Sequence, residues 1–448
     1  MTGLLRVQGA AIVDGSGDSV RLKGTNIGGW LNMENFITGY AANESMMRAA
    51  VRAVLGDDAY ELFFDRLLTA FYGDADAGFL AELGLNCVRI PVNYRHLESD
   101  QRPFEIIEDG FRHLDRAVEA GAAHGVYSVI DLHALPGSQN QHWHSDNPTH
   151  RALFWEHRHF QDRVVNLWEA IADRYKGNAW VAGYNLMNEP ADESRAVVGP
   201  FYERLATAIR AVDPDHILLF DGNTYSTEFA FFGEPLDNAV YTLHDYVPAG
   251  LGRADHYDPE AAEQKFLERS AYARETGTPI YVGEFAPIYT GDPETDAVRV
   301  QILEDQLERY RRYDAGFATW MYKDLGRQGL TYAKPDSPYG ALVADFVAKK
   351  IRLGVDQWGS SGREYPEVTQ PIQDLVAHEA PDYDPYPWGR FDFVRTLVLN
   401  ITLAQPLVQE YAELFRGLGE DELVALADSF VFDRCGVRES LRDQFVRS

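Results

Sequence analysis

Apolar and polar positions along this chain alternate between two periods. Short runs of β-branched, aromatic and small residues at 22–27, 87–92, 127–132, 181–186, 217–220, 240–243, 280–282 and 317–320 read as buried strands. Between them, 76–83, 110–123, 160–175, 202–212, 259–275 and 298–313 carry apolar residues at three- and four-residue spacing, the stripe of an amphipathic helix. Strand and helix alternating in this way predict an α/β fold of the (β/α)8 TIM barrel type. A doubly wound sheet fits less well, because no glycine-rich nucleotide fingerprint follows the first strand. Ahead of the barrel, 5–20 with the turn residues Asp14-Gly15-Ser16-Gly17-Asp18 predicts a β-hairpin plugging the barrel's bottom. Past Lys350 the pattern changes: 356–390 is rich in Pro, Tyr, Gly and Asp and reads as a linker, and helical periodicity returns at 391–415 and 421–432. The expected division is a barrel with its hairpin over 1–354, then a linker and a helical C-terminal extension packed on the barrel over 355–448.

A chain of 448 residues is long enough for such a barrel, which needs roughly 250. Its 41 Lys and Arg against 69 Asp and Glu give a net charge of −28, and the absence of any basic run argues against nucleic acid or an anionic membrane as a partner. Two cysteines, Cys87 in a strand-like run and Cys435 near the C-terminus, do not indicate a disulfide framework. The start, Met-Thr-Gly-Leu-Leu-Arg-Val-Gln-Gly, has no apolar signal-like core, and no later stretch reads as a bilayer span. A cytoplasmic protein without membrane insertion is expected. No feature of the sequence sets an oligomeric state.

The chemistry is concentrated at the strand ends. Asn188-Glu189-Pro190 closes the fourth run, and Glu284 closes Tyr281-Val282-Gly283-Glu284 in the seventh. Two carboxylates at two strand ends suit glycosidic cleavage, which needs an acid for the leaving oxygen and a second carboxylate as nucleophile or base. Arg89, His133, His244, Tyr246 and Trp320 also lie at strand ends. Any one of them is more simply a core or salt-bridge residue, yet structural accidents would scatter between both ends of a barrel. Each has a role to fill. Arg89 and Tyr246 would favour the charged form of Glu284, while a less polar spot beside Glu284 would keep the proton on Glu189. Asn188 suits a sugar 2-hydroxyl, Trp320 a pyranose face, and His133 and His244 hydroxyls or the carboxylates. Hydrolysis by two carboxylates needs no cofactor. His142, His144 and His150 share one loop, but their spacing matches no closed zinc site. Trp143, Trp155, Tyr225 and Tyr322 are further candidates for stacking on sugar.

Taken in order, Arg89, His133, Asn188-Glu189, His244-Asp245-Tyr246, Glu284 and Trp320 resemble the strand-end pattern of glycoside hydrolase family 5, over roughly residues 20 to 345. The resemblance implies a retaining enzyme with Glu189 as acid/base, Glu284 as nucleophile and a carbohydrate or small glycoside as substrate. Two loops, Gly24-Thr25-Asn26-Ile27-Gly28-Gly29-Trp30-Leu31 and Asp131-Leu132-His133-Ala134-Leu135-Pro136-Gly137-Ser138-Gln139-Asn140, are similar to the exo-β-1,3-glucanase branch. By that likeness Glu34 helps hold a terminal glucose; read from its position alone, it is equally a helix-start carboxylate. The sequence departs from the pattern at Gln141-His142-Trp143-His144 and Phe220-Asp221-Gly222-Asn223, where leaving-group contacts would form. Alternatives are an endo-β-glucanase or mannanase-type enzyme, a glycolipid or aryl-glycoside hydrolase, and a carbohydrate-binding protein without catalysis.

Overall fold

The computed structural model describes residues 3–355, 358, 366–387 and 389–447. Eight parallel strands close into a barrel: Lys23–Asn26, Cys87–Asn93, Tyr127–Ala134, Val181–Asn185, Ile217–Asp221, Ala239–His244, Ile280–Glu284 and Gly316–Thr319. The last pairs with the first through Ala318↔Gly24 and Thr319↔Thr25, so no edge remains. Each strand lies within a few residues of its predicted run. They are buried on both faces, and an apolar strand without polar alternation needs that burial.

The N-terminal hairpin pairs Arg6–Gln8 with Ala11–Val13. It reverses at Gly9-Ala10, where Gly9 adopts φ +59°, and again, with Val13 and Ser19 paired antiparallel across the turn, at the expected turn-rich 14–18. Those residues form a second turn, in which the Asp14 amide donates to the Asp18 carbonyl at 2.9 Å. Leu5 and Ile12 from this segment join Leu22, Cys87, Tyr127, Val129 and Tyr281 in an apolar layer at the barrel's lower end, opposite the catalytic end.

Two helices after the first strand, Glu44–Leu55 and Asp57–Phe71, and a third after the eighth, Pro338–Arg352, were not among the predicted segments. The predicted helix at 259–275 is broken at Ser270 into Pro259–Arg269 and Ala271–Thr276. Of the expected linker over 356–390, residues 356, 357, 359–365 and 388 lie outside the described residues, and the remainder includes a helix, Pro366–Glu379. Its periodicity misleads a sequence reading, because Thr369 and Gln373 face inward while Val368, Ile372 and Leu375 are exposed. The helical run Gly389–Glu413 has 25 residues and a mean hydropathy of 1.2 over its most apolar window, which meets the length and apolarity of a bilayer span against expectation. Of that window 39% is buried within the protein.

The C-terminal helices cover the inserted pair after the first strand. Tyr411 meets Tyr40 at 6.3 Å between ring centres, Phe415 meets Phe63 at 5.2 Å and Phe430 stacks on Phe71 at 5.5 Å. The buried Lys323 ammonium donates to the Phe430 and Phe71 carbonyls, both at 2.7 Å, and to Asp76 at 2.8 Å. A buried cation with three acceptors fixes geometry more than it adds stability. Phe415 is fully buried, so Phe415→Ala is expected to lower the urea-unfolding free energy by about 3–5 kcal/mol. A loss under about 1 kcal/mol would mean that the C-terminal helices unfold separately from the barrel.

Candidate active site

Arg89, on the second strand, is fully buried at the centre of the site. Its guanidinium donates to Asn185 Oδ1 at 2.8 Å, Asn26 Oδ1 at 2.9 Å, Asn188 Oδ1 at 2.8 Å and Glu284 Oε1 at 2.9 Å, and lies 3.1 Å from Asp131 Oδ2. A planar fork of donors suits such a set, where a lysine would satisfy fewer partners. The second oxygen of Glu284 accepts from the Tyr246 hydroxyl at 2.9 Å. Burial and the adjacent Glu284 push the Tyr246 phenol well above its ordinary range, so it stays a donor.

Asn188 uses both ends of its amide: Oδ1 faces Arg89, and Nδ2 donates to His133 Nε2 at 3.2 Å. His133 therefore carries its proton on Nδ1, 2.6 Å from Asp131 Oδ2. Burial keeps this imidazole neutral by driving it well below its usual range, and burial likewise pushes the Asp131 carboxyl up to about 7 against the pull of Arg89. Trp320 stacks on His133 with ring centres 5.4 Å apart and 10° between planes. Its far edge lies against Gly28, where a Cβ would come within 2.8 Å of the indole. That contact explains a glycine at this point of the Gly24–Leu31 motif.

Glu189 adopts φ +46°, a left-handed conformation that costs a non-glycine residue energy and that its surroundings must enforce. Asp221 Oδ2 accepts its amide at 3.0 Å, and Asn140 Nδ2 donates to its carbonyl at 3.0 Å. Its carboxyl group sits between two imidazoles: Oε1 is 2.6 Å from His244 Nδ1 and Oε2 is 3.1 Å from His144 Nε2. Burial opposes charge here, but His244 and His144, when they act as cations or donors, hold the carboxyl well below the ordinary range. His244 is raised against its own burial by Glu284 and Glu189. The two directions together favour a His244 cation beside a Glu189 carboxylate, the reverse of the less polar spot expected to keep the proton on Glu189. The strand register slips between Leu243 and His244, where the ring turns toward Glu189. One oxygen each of Glu189 and Glu284 and a nitrogen of His244 all lie within 4.8 Å of one another. Carboxyl groups this close suit attack by one of them, whereas inversion needs room for a water between them.

The site opens into a cavity of about 320 Å³ lined by all of Glu34, His133, Glu189, His244, Tyr246, Glu284 and Trp320. Arg89 and Asn188 lie beneath it. Glu34 occupies the N-cap of the short helix Asn35–Thr38, yet its side chain makes no capping bond; Oε1 is 3.5 Å from His133 Nε2. Of the aromatic candidates, Trp143 and Tyr225 line the cavity. Trp155 donates to the Gln139 carbonyl away from it, and Tyr322 is a core residue bonded to Asp76. His150 turns away to the Gln141 carbonyl at 2.9 Å, so the three loop histidines do not converge.

Phe36 and Trp358 also line the cavity, as do Asp392, Arg395 and Thr396 of the C-terminal segment. Sequence reasoning missed these five, as well as Asp221 as support for the Glu189 backbone. Trp358 packs edge-on against Tyr246 at 4.8 Å and donates to Gln328 at 2.7 Å. For Asp221 the strand-end position was a usable signal. For the C-terminal residues there was none, because no periodicity relates them to the barrel.

A closed (β/α)8 barrel with two adjacent carboxylates at the C-terminal ends of its fourth and seventh strands defines a barrel-fold glycosidase. Residues 70–326 match the family model described as Cellulase (glycosyl hydrolase family 5). The chain belongs to glycoside hydrolase family 5, whose members are retaining enzymes. It is 44% identical to a β-xylosidase of Phanerodontia chrysosporium over 98% of this chain and 96% of that protein. It is 31% identical to a probable glucan 1,3-beta-glucosidase A of Aspergillus fumigatus over 50% of this chain and 55% of that one. With endoglucanase C of Acetivibrio thermocellus the identity is 23% over 65% and 95%. Among solved structures, a crystal structure of a glycoside hydrolase superposes with a TM-score of 0.51 at 20% identity, covering 68% of this chain and 90% of that one, which supports the fold.

His150 is buried and its burial lowers it to about 4, so the unfolded chain binds a proton there between about pH 6.5 and 4 that the native protein refuses. The stability that follows from its neutral state is present above pH 6.5 and is lost on acidification. The gap in unfolding free energy between wild type and His150→Gln should shrink by about 1.4 kcal/mol per pH unit across that window, measured by urea unfolding at three pH values. A gap that does not change with pH would show that His150 titrates as it does in the unfolded chain.

Proposed function

We propose that this protein is an exo-acting β-glycosidase that removes one terminal sugar, glucose, from β-1,3-gluco-oligosaccharides or small β-glucosides. Glu284 is the nucleophile: its carboxylate attacks the anomeric carbon as the bond to the leaving oxygen breaks, and Glu189 gives that oxygen its proton. Water then attacks the glycosyl ester with Glu189 as base. Arg89 and Tyr246 hold the nucleophile from both oxygens, and Asn188, beneath the pocket with its amide bonded to Arg89 and His133, would meet a 2-hydroxyl only through its remaining N–H.

The observation that carries the exo reading is the shape of the site. Glu34, Phe36 and Trp143 from barrel loops, with Trp358 and the 392–396 segment from beyond the barrel, surround the carboxylates and leave a pocket sized for a small glycoside. An endo-acting enzyme needs a cleft open at both ends. The full-length likeness to a β-xylosidase favours a second reading, in which the terminal sugar is xylose. Both sugars share the equatorial hydroxyls that His133, Asn188 and Trp320 would read, and they differ only beyond C5.

Aryl β-glucoside, β-xyloside and β-mannoside, together with β-1,3-gluco-oligosaccharides, separate these readings, with the first-formed anomer followed by NMR. Single β-configured sugars released from chain ends are expected; internal cleavage would overturn the exo assignment. Glu284→Gln should lose turnover while keeping its fold. Glu189→Ala should lose far more rate on poor leaving groups than on activated aryl glycosides, and equal losses would remove Glu189 as the acid. Glu34→Ala is expected to lower kcat/KM about 10–100-fold, the worth of one charge-assisted hydrogen bond.

A further inference from the structure

Trp155 and His150, which the catalytic pocket leaves out, line a second cavity of about 890 Å³. It lies between the loops after the third and fourth strands and the C-terminal segment, which adds Tyr383, Tyr386 and Phe393 to its wall. Trp155 is tied to the catalytic end. Its indole N–H donates to the Gln139 carbonyl at 2.8 Å, and the Gln139 amide donates in turn to the His133 and Asn188 carbonyls at 2.7 and 2.8 Å. The helix Gly389–Thr396 serves both cavities: Asp392, Arg395 and Thr396 line the catalytic pocket, whereas Phe393 and, one turn on, Leu397 line the groove.

Barrel order places this groove on the side of the acid. The third, fourth and fifth strands are neighbours, and Glu189 follows the fourth. Gln141 after the third strand and Tyr225 after the fifth meet across it, the Tyr225 hydroxyl donating to Gln141 Oε1 at 3.3 Å. The Tyr225 amide donates to the carbonyl of Pro190, the residue after Glu189, at 3.2 Å. Thr224, Tyr225 and Ser226 adopt φ of +53°, +58° and +58°, three successive left-handed residues that their surroundings must hold in place. One such hold is the Thr224 hydroxyl, 2.9 Å from the Tyr386 hydroxyl. Tyr225 lines the catalytic pocket and Gln141 the groove, so this pair forms the rim between them. The proton of Glu189 must reach the leaving oxygen, so whatever is attached to that oxygen leaves the pocket on the Glu189 side. There it meets the Gln141–Tyr225 rim and then the groove, whose inner wall is Ala191, Asp192 and Glu193.

The walls suit sugar. Flat aromatic faces cover the C–H faces of a pyranose ring, and charged side chains bond its hydroxyls. Tyr383 is 40% exposed and packs T-shaped with Phe393 at 5.9 Å between ring centres. Glu193 and the Arg151–Glu156 pair supply acceptors and donors. An apolar aglycone would strip water from these charges without replacing its hydrogen bonds. We propose that this groove is a distal leaving-group subsite, holding the sugar units of an oligosaccharide beyond the first unit of the leaving group. The proposal rests on the reading of the protein as an exo-acting β-glycosidase with Glu189 as acid. Binding energy from units remote from the cleaved bond is available to the transition state, so longer chains are preferred although one sugar is removed per turnover.

The test is the dependence of kcat/KM on chain length, from disaccharide to hexasaccharide, beside the aryl β-glycoside. The series is made in whichever sugar, glucose or xylose, the wild type cleaves from its aryl glycoside. In the wild type kcat/KM should rise beyond the disaccharide. Tyr383→Ala should lose that rise and fall about 3- to 10-fold on the hexasaccharide, the worth of one aromatic contact, with kcat/KM on the aryl glycoside and the disaccharide unchanged. Tyr383→Phe, which keeps the flat face, should retain the rise. A flat series in the wild type, a rise that survives in Tyr383→Ala, a rise lost equally in Tyr383→Phe, or an equal loss on aryl glycoside and hexasaccharide overturns the proposal. Internal cleavage, or cleavage of neither aryl glycoside, would instead remove the exo-glycosidase reading and the proposal with it, and both are seen in the wild type before any variant is made.

Discussion

A single buried cation organises the catalytic end of this barrel. Arg89 has no exposure to solvent, so every acceptor it needs must come from the protein, and the six-residue set of Asn26, Asp131, Asn185, Asn188, Glu284 and Arg89 itself ties five strands together. Removing one partner would leave charge buried without compensation, which costs several kcal/mol. The same constraint gives Glu284 its orientation, because one oxygen is fixed by Arg89 and the other by Tyr246. The nucleophile is preorganised by a network whose first purpose is to satisfy an arginine.

Around that centre the two carboxylates live in different surroundings. Glu284 faces a permanent cation and a phenol. Glu189 faces two imidazoles and sits on a left-handed backbone held by Asp221 and Asn140. An enzyme that uses one carboxylate as nucleophile and another as acid needs such an asymmetry, since it decides which of the two is the nucleophile and which exchanges the proton. The walls of the pocket come from elsewhere: loops after the first and third strands, and a segment more than sixty residues beyond the last barrel strand.

The strands, their order and the polar set at their ends were legible in the chain because each is a local pattern. Eight short apolar runs, the Asn188-Glu189 and Glu284 strand ends, and His244 with Tyr246 two residues on are all visible without knowing what touches what. The helices at 44–55, 57–71 and 338–352 and the helix within 366–379 were not read, nor was the reversal at Gly9-Ala10 that precedes the expected turn at 14–18. In each of these the decision rests on packing: the inserted pair is covered by the C-terminal helices, and the helix at 366–379 points apolar residues outward.

What the sequence determined by itself was therefore the barrel and the chemistry it carries, since periodicity fixes which face of each element is buried and strand ends fix where side chains gather. Only the tertiary structure decided which groups surround each carboxylate and how the pocket closes. His144 and Glu189 are 45 residues apart, and Thr396 and Glu34 lie at opposite ends of the chain. Contacts of that kind depend on distances of a few tenths of an ångström between loops, and no local pattern of residues encodes them.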